Sequence, residues 1–413
     1  MTDMQTVEAI REEVPLLSGQ LIERVERDFL PMWQRWGNKF ILHGRQPGPD
    51  AVRVDGNDYL NVTGHPDIVA AQIDALRTRS EQVIQSSVLL LNQHPTRQLE
   101  MQLANWVGKD DAFLLQSGYA ANVGLLQSIA DKQTPIYLDA LAHASLWEGA
   151  HAARAPAILV KHNDPKYLHR MLEQHGPGIV VVDSVYSTTG AICRLEEILD
   201  VVESHGSMIL VDESHALGTH GPAGAGICAQ LGVTDRVHFI TASLAKTMAG
   251  RAGFFTAPAS LRHHILSSSF PIIFSSCMLP AEIAGLQTTV RVVQEDQSGR
   301  DRLKAITQRV REALTAIGYP IHQGTEQIIA LESGTEKGTD LLRNELEARG
   351  VFGAVFGPPA TSKNRCMVRI TLHAGLYDKE IERLIETLRE VAPIVKPWEW
   401  AIARRIPGLA QAA

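Results

Sequence analysis

Two side chains in the 413-residue sequence have the types and the setting that covalent chemistry requires. Asp212 ends the apolar start of ILVDESHALGTHG, and Lys246 follows a second apolar run in TASLAKTMAG. The run around the lysine lacks the neighbouring charges that a solvated face would show. Semi-buried surroundings disfavour the ammonium form and lower the pKa, which suits a lysine that forms a Schiff base.

The aspartate admits three interpretations: a metal ligand in an ATPase of the DExH type, a satisfied polar group at the end of a buried strand, or the partner of a heterocyclic cofactor. An ATPase needs a phosphate-binding G-x-x-x-x-G-K-[ST] loop upstream. The only Gly-Lys pair, at 108–109, lacks the first glycine and the Ser/Thr, which excludes the ATPase. Asp212 alone could be a buried carboxylate whose hydrogen bonds are satisfied within the core. This interpretation becomes weaker once Lys246 is considered with it.

A lysine and a strand-end aspartate together are what a pyridoxal phosphate site requires. The lysine binds the cofactor covalently, and the aspartate keeps the pyridinium nitrogen protonated so that the ring acts as an electron sink. Ser117-Gly118-Tyr119, where a predicted strand turns into a helix, could hold the phosphate with backbone N–H groups and the helix dipole. Ser243, three residues before Lys246, offers a hydroxyl to the same phosphate. The sequence therefore predicts pyridoxal 5′-phosphate as the cofactor and no metal ion.

The elements that must position these groups follow from the hydrophobic pattern. From about Phe113 onward, short β-branched runs alternate with amphipathic helical segments, which is typical of a parallel sheet covered on both faces. Ligands bind at the carboxyl ends of the strands in such sheets. The strand ends that carry polar residues are 117–119, 139–143, 183–187, 212–215 and 243–246. We therefore expect one site, in which His143 stacks on the cofactor ring and His215 bonds to its phenolic oxygen, although either histidine alone is more often structural.

The pattern also predicts the domain organisation. It changes after about Val293 to a charged helix and short strands, and the segment 6–36 is predicted to be helical with a break at Pro15. The predicted divisions are a helical arm over 1–55, a large cofactor-binding domain over 56–296 and a small α+β domain over 297–413. We expect the tail at 397–413 to pack as a terminal helix, with contact to a partner or a membrane as the alternative.

Composition excludes several classes of function. The net charge is −7 and no block of lysine and arginine is present, whereas nucleic-acid binding needs a concentrated basic surface. The four cysteines are far apart and form no C-x-x-C pair, which argues against a disulfide framework or a zinc site. No apolar run is long enough to span a bilayer, and the N-terminal segment has no signal-peptide core. We expect a cytoplasmic protein without stable membrane insertion.

The sequence resembles the α-oxoamine synthases, fold-type I pyridoxal phosphate enzymes that join an amino acid to an acyl-CoA. The stretches that carry the resemblance span roughly residues 40–390, in the order GNDYLN, QSGYAANVGLLQSI, DALAHASLWEGA, VDSVYSTTG, VDESHALGTHGPAGAG, TASLAK and MVRITL. The resemblance implies an aspartate aminotransferase-like α/β fold, with a mainly parallel, doubly wound sheet in the large domain and a smaller α+β C-terminal domain.

The resemblance also implies roles around the cofactor. Lys246 would hold the cofactor covalently and act as the base, and Asp212 would pair with the pyridinium nitrogen. His143 would stack on the ring, and Ser187 and His215 would lie near the ring oxygen. Either Lys246 or His143 would return a proton after the loss of CO₂.

A substrate site and a partner subunit are implied in the same way. Arg369 would bind the substrate carboxylate together with Asn57, because a forked guanidinium matches the two oxygens of a carboxylate. The segment FSSCMLP (274–280) matches the one that, in this family, reaches the phosphate of the neighbouring subunit, and Ser275 or Ser276 would do so here. A site shared in this way implies an obligate homodimer.

One departure from the family bears on the substrate. Members that use glycine, alanine or serine carry a loop rich in glycine and serine after the NDYL segment, whereas this chain has the bulkier and more apolar QSSVLLLNQHP at 85–95. This character and runs such as SLWEGA and GVFGAVF resemble the subgroup of α-hydroxyketone autoinducer synthases. The predicted reaction is the decarboxylative condensation of a medium- or long-chain acyl-CoA with 2-aminobutyrate or S-adenosylmethionine, which yields the α-amino ketone precursor of a quorum-sensing signal.

Two alternatives stay open. One is a metabolic α-oxoamine synthase that uses alanine or glycine and makes 7-keto-8-aminopelargonate or 2-amino-3-ketobutyrate. The other is a catalytically silent pyridoxal phosphate module, such as the sensor half of a transcription regulator. That module would need a DNA-binding domain, and the roughly fifty residues before the match are too few and not basic. Lys246 and Arg369, both present, also favour an enzyme.

Overall fold

The computed structural model describes residues 19–78 and 84–403, and within them the strands form two sheets. The strands are β1 (Val52–Val54), β2 (Asp111–Leu115), β3 (Ile136–Asp139), β4 (Ala157–Val160), β5 (Ile179–Asp183), β6 (Met208–Asp212), β7 (Phe239–Ser243), β8 (Gly253–Ala257), β9 (Ile328–Gly334), β10 (Val351–Phe356) and β11 (Cys366–Thr371). The larger sheet has the order β2-β8-β7-β6-β5-β3-β4. Strands β3 to β7 pair in parallel, whereas β8 is antiparallel to both β2 and β7.

Both faces of this sheet are buried, as the uninterrupted apolar runs predict. Along β5, Val180 and Val182 belong to one core cluster, whereas Ile179 and Val181 belong to another. Successive side chains of a strand point to opposite faces, so a strand that is apolar throughout must be covered on both sides. The predicted α/β fold class is confirmed, and the parallel strands bring their carboxyl ends to one edge of the sheet.

Helices cover the two faces and form the ends of the chain. The α-helices of the described residues are α1 (Gly19–Arg24), α2 (Leu30–Arg35), α3 (Pro66–Arg77), α4 (Pro95–Trp106), α5 (Gly118–Ile129), α6 (Ala144–Ala152), α7 (Pro165–His175), α8 (Leu195–Ser204), α9 (Ile227–Gln230), α10 (Arg262–Ser268), α11 (Phe270–Ile273), α12 (Pro280–Glu295), α13 (Gln297–Ile317), α14 (Glu336–Ala348) and α15 (Asp378–Val395). Side-chain caps fix where the helices beside the strand ends begin. The Ser117 side chain accepts from the N–H of Ala120 at the start of α5, and the His143 ring accepts from the N–H of Ser145 at the start of α6.

The smaller sheet has the order β1-β10-β11-β9. Strand β1 pairs in parallel with β10, and β11 runs antiparallel to β10 and β9. Strand β1 lies within the segment predicted as a helical arm, so that segment contributes a strand to the small sheet in addition to α1 and α2. A three-residue strand whose partner lies far along the chain leaves no local signal in the sequence. The division of the chain at residues 55 and 296 stays a prediction.

The ends of the chain are described in part. Residues 1–18, with the predicted break at Pro15, and residues 79–83 and 404–413 lie outside the described residues. The described part of the tail forms a single 3₁₀ turn at Pro397–Glu399 instead of a longer helix. The Trp400 ring is buried, with its centroid 5.8 Å from that of Tyr319. No helix in the described part of the chain is long and apolar enough to cross a membrane.

Candidate active site

The carboxyl ends of the parallel strands and the start of α5 enclose a cavity of about 210 Å³. Eight of the thirteen residues predicted for the site line it: Ser117, Gly118, Tyr119, His143, Asp212, His215, Ser243 and Lys246. The structure therefore brings together residues from the ends of four strands, β2, β3, β6 and β7, and their individual roles stay predictions. A larger cavity, of about 780 Å³, lies beside α13 and the segment 319–327, and none of the predicted site residues lines it.

Asp212 is the last residue of β6, where it is 4% exposed. One carboxylate oxygen, Oδ1, accepts from the N–H of Ser214 at 2.9 Å, and the other, Oδ2, accepts from Nδ2 of Asn122 at 2.8 Å. Two donors hold the carboxylate in one orientation at the inner wall of the cavity. A carboxylate held in this way can stabilise a positive charge on a ligand ring nitrogen.

Lys246 lies in the loop that follows β7 and lines the same cavity. Burial lowers the pKa of Lys246, and the positive charge of Arg369 lowers it further, whereas the negative charge of Asp212 opposes the shift. A lowered pKa increases the fraction of neutral amine near neutral pH. A neutral amine is the form that adds to an aldehyde or removes a proton.

Gly118 forms a close contact that leaves no space for a side chain. A Cβ atom on this residue would lie 2.5 Å from Cβ of Ser243, so the start of α5 approaches the end of β7 as closely as glycine allows. This approach brings the first backbone N–H groups of a twelve-residue helix to the cavity edge beside two serine hydroxyls. Such an end of a helix suits a phosphate group.

His143 and His215 both line the cavity, in different surroundings. Nδ1 of His143 lies 2.7 Å from Oγ of Ser145, and burial lowers the pKa of this histidine. Nδ1 of His215 lies 2.5 Å from the hydroxyl of Tyr59. Burial, followed by the charges of Lys246 and Arg369, lowers the pKa of His215 well below its ordinary value. Both rings are therefore neutral at neutral pH.

Arg369 is 5% exposed on β11, outside the lining of this cavity. Its Nη2 donates to Oδ1 of Asn57 at 3.0 Å, and its Nη1 donates to the carbonyl of Ser187 at 2.8 Å. The guanidinium carbon lies 4.6 Å from the centroid of the Phe356 ring, and Nε is buried without a partner among the described residues. Asn57 and Arg369 thus lie side by side, and their joint binding of a substrate carboxylate stays a prediction. Ser187 contacts Arg369 through its backbone carbonyl and does not line the cavity.

Ser275 and Ser276 lie away from the cavity, in the loop after α11. The carbonyl of Ser275 accepts from the N–H of Ser87 at 3.3 Å, and Ser276 forms an isolated antiparallel bridge with Ser86. These contacts join the loop to the segment 84–91 at the surface. The predicted contact of these serines with the phosphate of a neighbouring subunit stays a prediction.

Sequence reasoning assigned no role to several residues that complete the site. Asn122, Ser145 and Asp183 line the cavity, and Tyr59 contacts His215 from outside its lining. Burial, and then the charge of Asp212, raises the pKa of Asp183 well above its ordinary value, which favours the neutral form of this carboxyl group. All four lie inside stretches that carry the family resemblance, but none of them stands in a pattern that assigns it a role.

These residues fit a phosphorylated pyridine cofactor. The glycine-lined helix start offers N–H groups to a phosphate, the fixed carboxylate of Asp212 faces the cavity, and the amine of Lys246 lies within the same wall. Oδ1 of Asn122 is buried in the same place without a partner among the described residues. Each of these groups matches one that such a cofactor needs.

Comparison with known proteins identifies the class. The sequence matches the family described as aminotransferase class I and II over residues 49–388. The CAI-1 autoinducer synthase of Vibrio campbellii is 40% identical over 86% of this chain and 91% of that protein. The 8-amino-7-oxononanoate synthase of Trichlorobacter lovleyi is 30% identical over 91% of this chain and 97% of that protein. The solved serine palmitoyltransferase of Sphingomonas wittichii has a TM-score of 0.78 at 26% identity, over 83% of this chain and 87% of that one.

The chain therefore belongs to the aminotransferase class I and II family. Within that family it belongs to the α-oxoamine synthases, the group that includes the relatives named above. It is therefore a transferase of the acyltransferase type. The predictions of fold class, enzyme class and pyridoxal 5′-phosphate as cofactor are confirmed. The comparisons do not identify the substrates, which stay predictions.

Proposed function

We propose that this enzyme condenses a medium- or long-chain acyl-CoA with 2-aminobutyrate or S-adenosylmethionine, with loss of CO₂ and CoA, to give an α-amino ketone. This product would be the precursor of an α-hydroxyketone quorum-sensing signal. The observation that carries the proposal is the identity to the CAI-1 autoinducer synthase, which exceeds that to the 8-amino-7-oxononanoate synthase over similar lengths.

The segment at 85–95 supports the same substrate class. It places Leu89 and Leu91 at the surface, 59% and 75% exposed, where the small-donor members have glycine and serine. Packing an acyl tail against these leucines would remove apolar surface from water, which stabilises the contact by about 25 cal/mol for each Å² buried.

The residues of the site have separate tasks in this reaction. The cofactor, when bound, supplies an electron sink for the negative charge that develops at the substrate Cα. The carboxylate of Asp212 stabilises the positive charge on the ring nitrogen of the cofactor. Arg369 together with Asn57 holds the substrate carboxylate. The neutral amine of Lys246 removes the Cα proton, which its lowered pKa allows near neutral pH. Lys246 or His143 returns a proton after CO₂ leaves.

The proposal includes a homodimer that acts in the cytoplasm, with the arm, large domain and small domain divided as the sequence predicts. Phe270 and Phe274, just before Ser275 and Ser276 in the chain, are 56% and 75% exposed. Large exposed aromatic side chains favour burial against another subunit. The four cysteines are all unpaired and three of them are buried, which agrees with a reducing compartment.

The test measures CoA thiol release by the purified holoenzyme with a medium-chain acyl-CoA and, separately, glycine, alanine, serine, 2-aminobutyrate and S-adenosylmethionine, with mass spectrometry of the products. The Lys246→Ala variant at the same concentration measures uncatalysed hydrolysis of the thioester. We expect turnover with 2-aminobutyrate or S-adenosylmethionine and a long-chain amino ketone as product. A preference for alanine or glycine would overturn the proposal in favour of a metabolic oxoamine synthase.

A further inference from the structure

A continuous chain of hydrogen bonds connects Asp212 to His143 through two residues that the proposed reaction does not use. Oδ2 of Asp212 lies 2.8 Å from Nδ2 of Asn122, and the same nitrogen lies 2.9 Å from Oγ of Ser145. Oγ of Ser145 then lies 2.7 Å from Nδ1 of His143. Asn122 is 2% exposed and Ser145 is fully buried, so water does not compete for these bonds.

The direction of donation along this chain follows from its first member. The carboxylate of Asp212 has only acceptors, so the amide of Asn122 must turn its nitrogen toward it. The second N–H of that nitrogen donates to Oγ of Ser145. The opposite orientation would place Oδ1 of Asn122 against the carboxylate, and in the observed orientation Oδ1 is buried without a partner in the described structure. In this orientation the amide nitrogen of Asn122 makes both of its donations, and its oxygen is left without a partner among the described residues.

The serine hydroxyl transmits this direction to the histidine. Because Oγ of Ser145 accepts from Asn122, its own hydrogen is free to be donated, and Nδ1 of His143 is its remaining hydrogen-bond partner in the described structure. The backbone N–H of Ser145 also points at Nδ1, at 3.3 Å. Two donors directed at one ring nitrogen require that nitrogen to be unprotonated. The proton of the neutral ring must then lie on Nε2.

We propose that Asn122 and Ser145 are positioning residues that hold His143 as the Nε2–H tautomer, so that the ring nitrogen not engaged by Ser145 is a hydrogen-bond donor to the ligand. The catalytic part of this inference depends on the proposed function, whereas the tautomer does not. A neutral ring agrees with the effect of burial, which lowers the pKa of His143. The arrangement gives the proton donor of the reaction its orientation before any substrate is present.

The first experiment determines the tautomer by ¹⁵N NMR of the full-length holoenzyme with labelled histidine, using His143→Gln to assign the signal. We expect an unprotonated Nδ1 and a protonated Nε2 in the wild type. We expect Ser145→Ala to shift the Nδ1 signal toward the protonated form, and Ser128→Ala, which removes another buried serine hydroxyl of this domain, to leave it unchanged.

A protonated Nδ1 in the wild type would overturn the inference, and this result does not depend on whether any variant folds. A folded Ser145→Ala variant with the wild-type histidine signal would overturn the part assigned to Ser145. Neither measurement uses turnover, so a wrong choice of amino donor in the proposed function leaves both unaffected.

Kinetics test the catalytic part. With the best donor and acyl-CoA found, Ser145→Ala should lower kcat by about 10²-fold, near the lower end of what a positioned acid or base contributes, with KM for the amino acid changed by less than about threefold. A merely structural loss would alter KM and cofactor affinity to a similar extent. Equal changes in kcat and KM would therefore contradict the positioning role.

Discussion

The hydroxyl of Tyr59 lies 2.5 Å from Nδ1 of His215, although the two residues are 156 positions apart in the sequence. Burial raises the pKa of Tyr59, and burial together with two nearby positive charges lowers the pKa of His215. The phenol is therefore the donor and the neutral imidazole the acceptor. This leaves the proton of His215 on Nε2, available for a ligand oxygen.

Tyr59→Phe removes this donor and leaves a buried nitrogen unsatisfied. We expect a loss of about 1–3 kcal/mol in the free energy of unfolding and weaker binding of pyridoxal 5′-phosphate, measured by denaturation and by cofactor titration. Tyr137→Phe is a matched control, because the Tyr137 hydroxyl donates to the carbonyl of Gly176 outside the site. The control should lose stability without losing cofactor affinity. Equal cofactor affinity in the two variants would show that Tyr59 does not act through His215.

Lys246→Ala tests the amine of the cavity. We expect a folded protein that still binds the cofactor, without a covalent bond, and that has no turnover, because no other amine lines the cavity in the described structure. Circular dichroism and cofactor absorbance check the fold and the binding, and thiol release checks the rate. Lys304→Ala, at an exposed lysine, should behave as the wild type. Turnover above background in Lys246→Ala would remove this lysine from the mechanism.

Asp212→Asn and Asp183→Asn compare two adjacent carboxyl groups that are opposite one another in the sheet register. Neutralising Asp212 should lower kcat by about 10²–10³-fold, the effect of removing a preorganised charge partner. Neutralising Asp183 should cost far less, because burial and the charge of Asp212 raise its pKa and already favour its neutral form. Steady-state kinetics of both variants decide this. A larger loss for Asp183→Asn would reverse the assignment of the charge partner.

Arg369→Gln should change the pH dependence of cofactor binding as well as substrate affinity. The positive charge of Arg369 lowers the pKa of Lys246, second only to burial, so its removal raises that pKa. Cofactor addition requires the neutral amine, and the pH at which reconstitution of the cofactor-free protein is half-maximal should therefore move upward. The rate of recovery of cofactor absorbance, measured from pH 6 to pH 10, checks this shift.

The same variant should raise KM for the amino acid, because the carboxylate loses its guanidinium. Arg365→Gln is a control that removes a nearby arginine paired with Glu332. It should leave both the reconstitution profile and KM near the wild-type values. A profile that is unchanged in Arg369→Gln would contradict the electrostatic contact with Lys246.

Phe274→Glu tests the proposed subunit interface. An unpaired carboxylate buried at an interface is costly, so this variant should shift the protein toward monomer in sedimentation or light scattering and lose cofactor affinity. Leu159→Glu, at another exposed apolar side chain on the edge strand β4, should leave the mass unchanged. A wild-type protein that is monomeric at micromolar concentration would contradict the shared site.

Local patterns were sufficient to identify the fold class and the central residues of the site. Asp212 and Lys246 each follow an apolar run, and in a parallel sheet the ends of such runs meet at one edge. A predicted strand-to-helix turn indicated Ser117, and the spacing of three residues before Lys246 indicated Ser243. These inferences succeed because each depends on a few consecutive residues and on a rule that holds for the whole class of sheet.

The partners of those residues were decided by the tertiary structure. Tyr59, Asn122 and Ser145 have no charge and no motif of their own, and their importance comes from distances of 2.5–2.9 Å to groups on other elements. Strand β1 is a similar case, since its three residues join a sheet whose other strands begin after residue 327. The sequence by itself indicated the strands of the large sheet and the groups that could react. Only the packed chain decided which hydrogen bonds orient those groups, because hydrogen bonds depend on angles and distances that consecutive residues do not specify.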